Sequence, residues 1–472
     1  MPGRDADLAV EWHGIEAIPA SARYGSPRRV FRLWFAASLM PATFAIGTLA
    51  PSLGLGWPAG VAAILLGNCI GAALAGFAST MGPRTGLAQL PAARLPFGRS
   101  ILAPALVASA ASVAWGAVYA FFGASAIDAL SGGGIPLAAG ILAVAVAQVL
   151  LAAVGYEAIH TFARYAATGL AVAFALVTVA LLPHLSPPRS VGFSPGAFVL
   201  LTTVVGSVHL GWTLSASDFS RYLPAETSLR KVWLLTFLGL TFSAGWLELL
   251  GLGLAGAPGN ATDDAVHQLG SLLGGGVPTD LALAAIVIGT VGVNAMGSYS
   301  GSLSLLAAGV PIRRPVAAVL GGALTCFVAL ALHSGNYTAT FEDYLLLGAF
   351  WTAPWLAIVM VDWRERRGRI GAGVGEAWSR LPSGRNALVA LGVGCAAGVP
   401  FMDTAIYEGP LASVLGGADL AWVVAFLAAG ALYLGLQRWT GSTAVADGPA
   451  GPPAPATRRP GPASSVALMA RD

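Results

Sequence analysis

The sequence predicts an all-α polytopic membrane protein with about twelve transmembrane helices, and three observations predict it. Hydrophobic residues make up 56% of the 472 and charged residues only 10%, against roughly 25% charged in a soluble domain, and mean hydropathy is +0.73. The apolar residues fall in runs near the roughly 20 that a helix needs to cross the hydrocarbon layer. Finally, 24 of the 25 Lys and Arg residues lie at alternate links between those runs. Basic residues stay on the cytoplasmic side of a bilayer, so spans and orientation are predicted together, with both termini cytoplasmic and the protein in the plasma (inner) membrane.

Taken in order, residues 1–30 read as a polar cytoplasmic segment, only partly ordered over 1–22 and with no cleavable signal peptide, so that the first span directs insertion. Spans are expected at 31–56, 59–81, 101–130, 135–155, 163–183, 196–217, 231–256, 280–310, 315–334, 342–363, 387–406 and 418–437. Basic links hold Arg84, Arg94 and Arg99, then Arg164, then Arg221, Arg230 and Lys231, then Arg313 and Arg314, then the run from Arg364 to Arg385. The intervening links are short, acidic or uncharged, and Arg189 is the one exception. The segment from Asp264 to Leu273 is too short and mixed to cross and reads as an outer surface helix. Residues 438–472, rich in Gly, Pro, Ala and Ser, read as a disordered cytoplasmic tail. No long soluble stretch divides 31–437, which is expected to be one domain.

The charge sorting explains the net charge of +3 without invoking nucleic acid; the expected surroundings are lipid. Cys69, Cys326 and Cys395 lie in apolar segments without metal-ligand spacing and read as packing residues. An intramembrane serine protease is excluded by the spacing of Gly297-Ser298-Tyr299-Ser300-Gly301, and no His-Glu-x-x-His occurs. A channel is disfavoured because no filter motif or charge-lined span is present.

Two spans carry breaks. Span one contains Pro41, Gly47 and Pro51, and span six contains Gly206 and Gly211 around His209. Freed backbone groups are tolerated in a membrane only where they face protein or a wet site. Interrupted helices at matching positions of two inverted halves point to a transporter's midplane site; the alternative is the general abundance of Gly and Pro in membrane helices.

Several stretches then carry a resemblance. Gly82-Pro83-Arg84-Thr85-Gly86-Leu87 with Arg94-Leu95-Pro96-Phe97-Gly98, Ala216-Ser217-Asp218-Phe219-Ser220-Arg221-Tyr222-Leu223-Pro224, and Asn294-Ala295-Met296 followed by Tyr299-Ser300 and Leu303 to Leu306 are similar to motifs of the nucleobase:cation symporter-1 family, purine-cytosine permease branch. Val361-Asp362-Trp363 and Gly416 to Leu420 also fit, so the resemblance runs from Glu11 to Leu436. It implies a leucine-transporter-like fold, with ten core helices in a 5+5 inverted repeat broken at helices 1 and 6, plus two more. It implies a secondary active, cation-coupled symporter that imports a purine or pyrimidine base such as cytosine by alternating access, without enzymatic activity or cofactor. The alternative is a related heterocycle: allantoin- or hydantoin-like, or a vitamin precursor such as hydroxymethylpyrimidine or thiamine.

A flat base needs a ring to stack on and polar groups for its edge. The resemblance places a stacking tryptophan at Trp115, with Ser112 and Tyr119 one turn to either side on the same helical face. His209, an ionisable group inside a broken span, is a functional candidate by default: it can stack, hydrogen-bond or carry a coupling proton. Trp212, Asn294 and Ser298 complete the expected substrate site. For a coupling cation, the matching positions are Phe35, Ser38 and Met40 in span one and Thr290 in span eight. Sodium-dependent relatives use a Ser-Thr pair on span eight; Gly289-Thr290-Val291-Gly292 lacks it, so protons are favoured over Na⁺. Glu248 is expected near the outer boundary, partly solvated, and Asp218 and Arg221 are expected to pair at the end of span six. Asp128 and Asp362, at helix ends, are given no special role.

Overall fold

The computed structural model describes residues 10–11, 13–189, 192–256, 265–332, 337–366, 381–404 and 406–440; the tail beyond residue 440 lies outside them. Span one is two helices, Arg28–Ala37 and Pro41–Thr48, bent by 61°. Met40 at the break is extended and Pro41 opens the second half, where its missing N–H is harmless. The next spans are Trp57–Thr85 (two), Leu102–Leu130 (three), Leu137–Val154 (four) and Tyr156–Leu181 (five). Pro195–Trp212 (six), Leu229–Leu254 (seven), Val277–Ala307 (eight) and Arg314–Leu332 (nine) follow. Tyr337–Glu365 (ten), Arg385–Gly398 (eleven) and Ala421–Thr440 (twelve) complete the set. Among the described residues nine helices are long and apolar enough to cross a membrane, and ten with the bent pair counted; span ten and the shorter span eleven bring the total to the expected twelve. Span eleven ends early, in a turn and a two-residue antiparallel ladder pairing Asp403 with Glu408 and Thr404 with Tyr407.

The helices pack in two groups. Both halves of span one join spans two, six and seven, while spans three, four, eight and nine form a second group. Glycine makes the first group tight. A Cβ at Gly67 would lie 2.6 Å from the Thr202 carbonyl oxygen, one at Gly71 2.4 Å from that of Gly206, and one at Gly47 1.9 Å from that of Glu248. Spans ten to twelve pack together beside this core, with Tyr433 donating to Asp362 Oδ1 at 2.9 Å and Arg366 pairing with Asp362 Oδ2 at 2.7 Å; Asp362 is thus a buried link between spans ten and twelve.

Several expectations are corrected. Span six is helical through Gly206 and Gly211 and unwinds only after Trp212, at Thr213 to Ser215; Gly206 serves close packing on span two. The helix Ala265–Leu273 buries Val266 and Leu269 in the main core, so it is docked rather than superficial. Within the N-terminal segment Glu11 is anchored, its N–H donating to the Val154 carbonyl at 2.9 Å and its side chain only 8% exposed. Glu248 has no exposure at all, because the helices around it, not the bilayer boundary, set its surroundings. Cys69 is exposed on the outer surface of span two, while Cys326 and Cys395 are partly buried, and all three are free thiols.

Candidate functional site: a charge-free cavity between the two groups

Where spans six, three, eight and ten converge there is a cavity of about 370 Å³, within the usual range for small-molecule sites. Span three contributes Ser112, Trp115 and Tyr119; span six contributes Ser207, Val208, Gly211 and Trp212, with Leu214 and Ser215 from its unwound end. Span eight contributes Gly297, Ser300 and Gly301, and span ten contributes Leu347, Gly348, Trp351 and Thr352. Trp115 and Tyr119 stack with centroids 5.3 Å apart and 26° between planes, and Trp212 is braced edge-on by Trp34 at 5.2 Å. A Cβ on Gly301 would lie 2.1 Å from Ser112 Oγ, so the bare face of span eight makes room for that hydroxyl. None of the lining residues is charged or titrates near neutral pH. The cavity therefore offers ring faces and hydroxyls to a neutral, flat, polar-edged ligand.

Of the expected substrate residues, Ser112, Trp115, Tyr119 and Trp212 come together here. His209, Asn294 and Ser298 do not line the cavity. His209 lies at the right depth but on another face of span six: it is fully buried against span two, with Nε2 2.6 Å from Asn68 Oδ1. Asn294 donates to the Gly116 carbonyl at 3.1 Å and so ties span eight to span three. Trp351, Thr352, Ser207, Ser215 and Ser300 were not anticipated. Nothing distinguishes these hydroxyls in a sequence with many Ser and Thr, whereas Asn68, a lone amide in an apolar span, is a legible signal.

At the break in span one, the Ser38 hydroxyl is buried without a hydrogen-bond partner among the described residues. Phe35 stacks on Phe31 at 5.6 Å, and Met40 is buried. Span eight meets this break at Gly289, where a Cβ would lie 2.8 Å from the Leu39 carbonyl oxygen, while the Thr290 methyl packs towards Gly123 of span three. The residue of span eight facing the break thus carries no hydroxyl. No cluster of three or more His, Cys, Asp or Glu able to hold a metal exists among the described residues.

The Arg-rich face is closed by a buried network. Arg221 donates to Glu11 Oε1 at 2.7 Å and to the Gly14 carbonyl at 2.8 Å. Tyr222 and Tyr299 also donate to Glu11 Oε1, at 2.7 and 3.1 Å, and Arg314 donates to the Glu11 carbonyl at 2.9 Å. Burial alone would raise the Glu11 carboxyl, but Arg221 and Arg314, with the Tyr222 hydroxyl and Tyr156 amide, hold it below its ordinary value. The expected Asp218–Arg221 pair is replaced: Arg221 turns to Glu11, and Asp218 Oδ1 accepts from the Gln89 backbone N–H at 2.7 Å. The two motif segments are therefore partners. Ser217 and Ser220 donate to the Leu87 and Ser79 carbonyls, a Cβ on Gly82 would lie 2.1 Å from Ser220 Oγ, and Gly86 ends span two with φ +69°.

Twelve spans, a discontinuous first helix and an uncharged aromatic cavity between two helix groups define a small-molecule transporter. Residues 17–425 match the family model described as permease for cytosine/purines, uracil, thiamine, allantoin, and the chain belongs to that family. It is 28% identical over 459 residues to the purine-cytosine permease fcyB of Emericella nidulans, covering 92% of this chain and 89% of that one. It is 25% identical over 452 residues to the purine-cytosine permease FCY2 of Saccharomyces cerevisiae, covering 88% and 84%. Among solved structures, Mhp1, a nucleobase-cation-symport-1 family transporter closed with bromovinylhydantoin bound, superposes with a TM-score of 0.75 at 18% identity over 92% of this chain and 96% of that one; that likeness concerns the fold. The protein is thus a nucleobase-type transporter of this family, with the expected all-α, leucine-transporter-like architecture, and not an enzyme.

Proposed function

We propose that the protein is a symporter that imports a neutral purine or pyrimidine base such as cytosine by alternating access, driven by protons in preference to Na⁺. In this reading it lies in the plasma (inner) membrane with the Arg-rich face and both termini cytoplasmic. The observation that carries the substrate reading is the cavity: three tryptophans, a tyrosine and five Ser or Thr hydroxyls, with no charged side chain. A base presents two ring faces and a donor–acceptor edge, which this lining matches. A positively charged ring such as thiamine finds no counter-charge there. Gly289, standing where a hydroxyl would face the break in span one, supports protons over Na⁺, a hard cation that needs several oxygen ligands.

The test is uptake by proteoliposomes of purified protein against a panel of cytosine, purines, uracil, allantoin and a hydantoin. Cytosine or a purine should accumulate under an inward proton gradient and respond little to an inward Na⁺ gradient at constant pH. Accumulation of the hydantoin or allantoin alone would overturn the nucleobase assignment, and a strict Na⁺ requirement would overturn the proton coupling.

A further inference from the structure

On a face of span six that does not line the cavity, a polar ladder joins three helices. His209 of span six, Asn68 of span two and Glu248 of span seven have no solvent exposure. Asn68 Nδ2 donates to the Ile64 carbonyl at 2.9 Å and to Glu248 Oε2. A backbone carbonyl only accepts, so the amide nitrogen must face Ile64, and Oδ1 faces His209. The His209 Nε2 that meets Oδ1 at 2.6 Å therefore carries hydrogen. Both Asn68 hydrogens are used, and two atoms keep spare capacity: Glu248 Oε1 and His209 Nδ1 have no hydrogen-bond partner among the described residues.

Among the described residues no charge compensates Glu248. The second half of span one, pressed on its backbone through Gly47, has no titratable side chain, and the first half carries only Arg28, Arg29 and Arg32, towards its basic end. Span two otherwise offers exposed Cys69 and Arg84 at the far end, span six offers His209 alone, and Arg230 and Lys231 open span seven at the opposite face. Span five is free of titratable groups from Leu170 to Leu181, and His184 beyond it is exposed. A carboxylate with one amide donor and no cation is costly at this depth, whereas the neutral acid fits. Counting 1.5 Å per residue from the helix ends opposite the Arg-rich face, Glu248, Asn68 and His209 lie about 9, 16 and 21 Å deep. The ladder thus descends from near the face opposite the Arg-rich one to the unwound end of span six beside the cavity.

We propose that Glu248 is the binding site of the coupling proton, with Asn68 and His209 as its positioning residues. The inference rests on the proton-coupled reading above. A proton from outside adds to the Glu248 carboxylate to give the neutral acid, and the same proton leaves to the cytoplasm after the conformational change, restoring the carboxylate. The contact between Gly47 and the Glu248 carbonyl ties this step to movement of the broken span.

The test uses purified full-length parent and Glu248→Gln in proteoliposomes with cytosine as probe. The variant should lose proton-driven accumulation, falling to simple equilibration, while still exchanging cytosine in counterflow without a gradient. Accumulation like the parent's would overturn the proposal. Infrared difference spectra between acid and alkaline buffer need no substrate: the parent should show a protonated-carboxyl C=O band that Glu248→Gln lacks, and identical bands in both would also overturn it. If the parent fails to exchange cytosine, the nucleobase reading fails while the infrared arm still decides on Glu248. Should Glu248→Gln fail to insert, Asn68→Ala takes its place; removing the Oε2 donor should shift the C=O stretch, and an unshifted band refutes the assignment.

Discussion

Trp115 is the ring against which the substrate is expected to lie, and its replacement gives the most direct reading of the cavity. Stacking a base on an aromatic side chain contributes about 1–3 kcal/mol. Tyr119 lies against Trp115 at 5.3 Å and 26°, so Trp115→Ala uncovers a second ring one turn away that recovers part of the contact. The loss should therefore sit in the lower half of that range, about 1–2 kcal/mol, or roughly 5- to 30-fold in Kd. Trp115→Phe retains both a ring and its stacking partner and should lose less. Cytosine affinity and melting temperature measured on both purified variants separate binding from packing. Lowered melting temperatures with parent-like affinity in Trp115→Ala would refute stacking and leave the residue a structural role.

Two further expectations concern the scaffold. Gly47→Ala places a Cβ 1.9 Å from the Glu248 carbonyl oxygen, where only backbone movement relieves the clash; it should cost about 1–3 kcal/mol, and a parent-like melting temperature would refute the close approach. Glu11→Gln removes the charge that faces Arg221 and Arg314; breaking a buried ion pair costs about 3–5 kcal/mol, and the retained amide oxygen puts this variant at the lower end. Because the Glu11 carboxyl is held below its ordinary 4.5, its contribution is full above that pH and is lost as pH falls through the lower folded value. The melting difference between parent and Glu11→Gln should accordingly be constant at neutral pH and shrink in acid; a difference that grows in acid would show the sign to be wrong.

Charge sorting and segment length made the helices readable, because both report on the bilayer and not on neighbouring helices. Trp115 and Trp212 reach the cavity for a related reason: the motifs register their helices in depth, and both face it. Depth alone does not put His209 and Asn294 at the cavity, because their rotation about the helix axis is set by partners on spans two and three. Glu248 shows the same limit, since distance along span seven suggested solvent while the packing of spans one and two excluded it. Arg221 has an acceptor three residues away in sequence, and one 210 residues away, Glu11, wins it. No local rule anticipates that, because both the cost of burying the charge and its compensation are properties of the assembled face.

The glycine contacts of span two have a mechanical consequence. At Gly67 and Gly71 it meets span six backbone to backbone, and at Gly76 the Trp233 ring of span seven lies against it, 2.9 Å from where a Cβ would stand, with its Nε1 donating to the Ala73 carbonyl at 3.0 Å. Backbones in direct contact, and a ring fixed by its own hydrogen bond, have few rotamers to exchange and hence no low-cost way to slip. If the protein works by the alternating access proposed above, these three helices should turn as one body, with the movement taken up at the cavity seam. A cross-link engineered between spans two and six would go unnoticed by the transport cycle, while one thrown from span six to span three across the cavity would halt it.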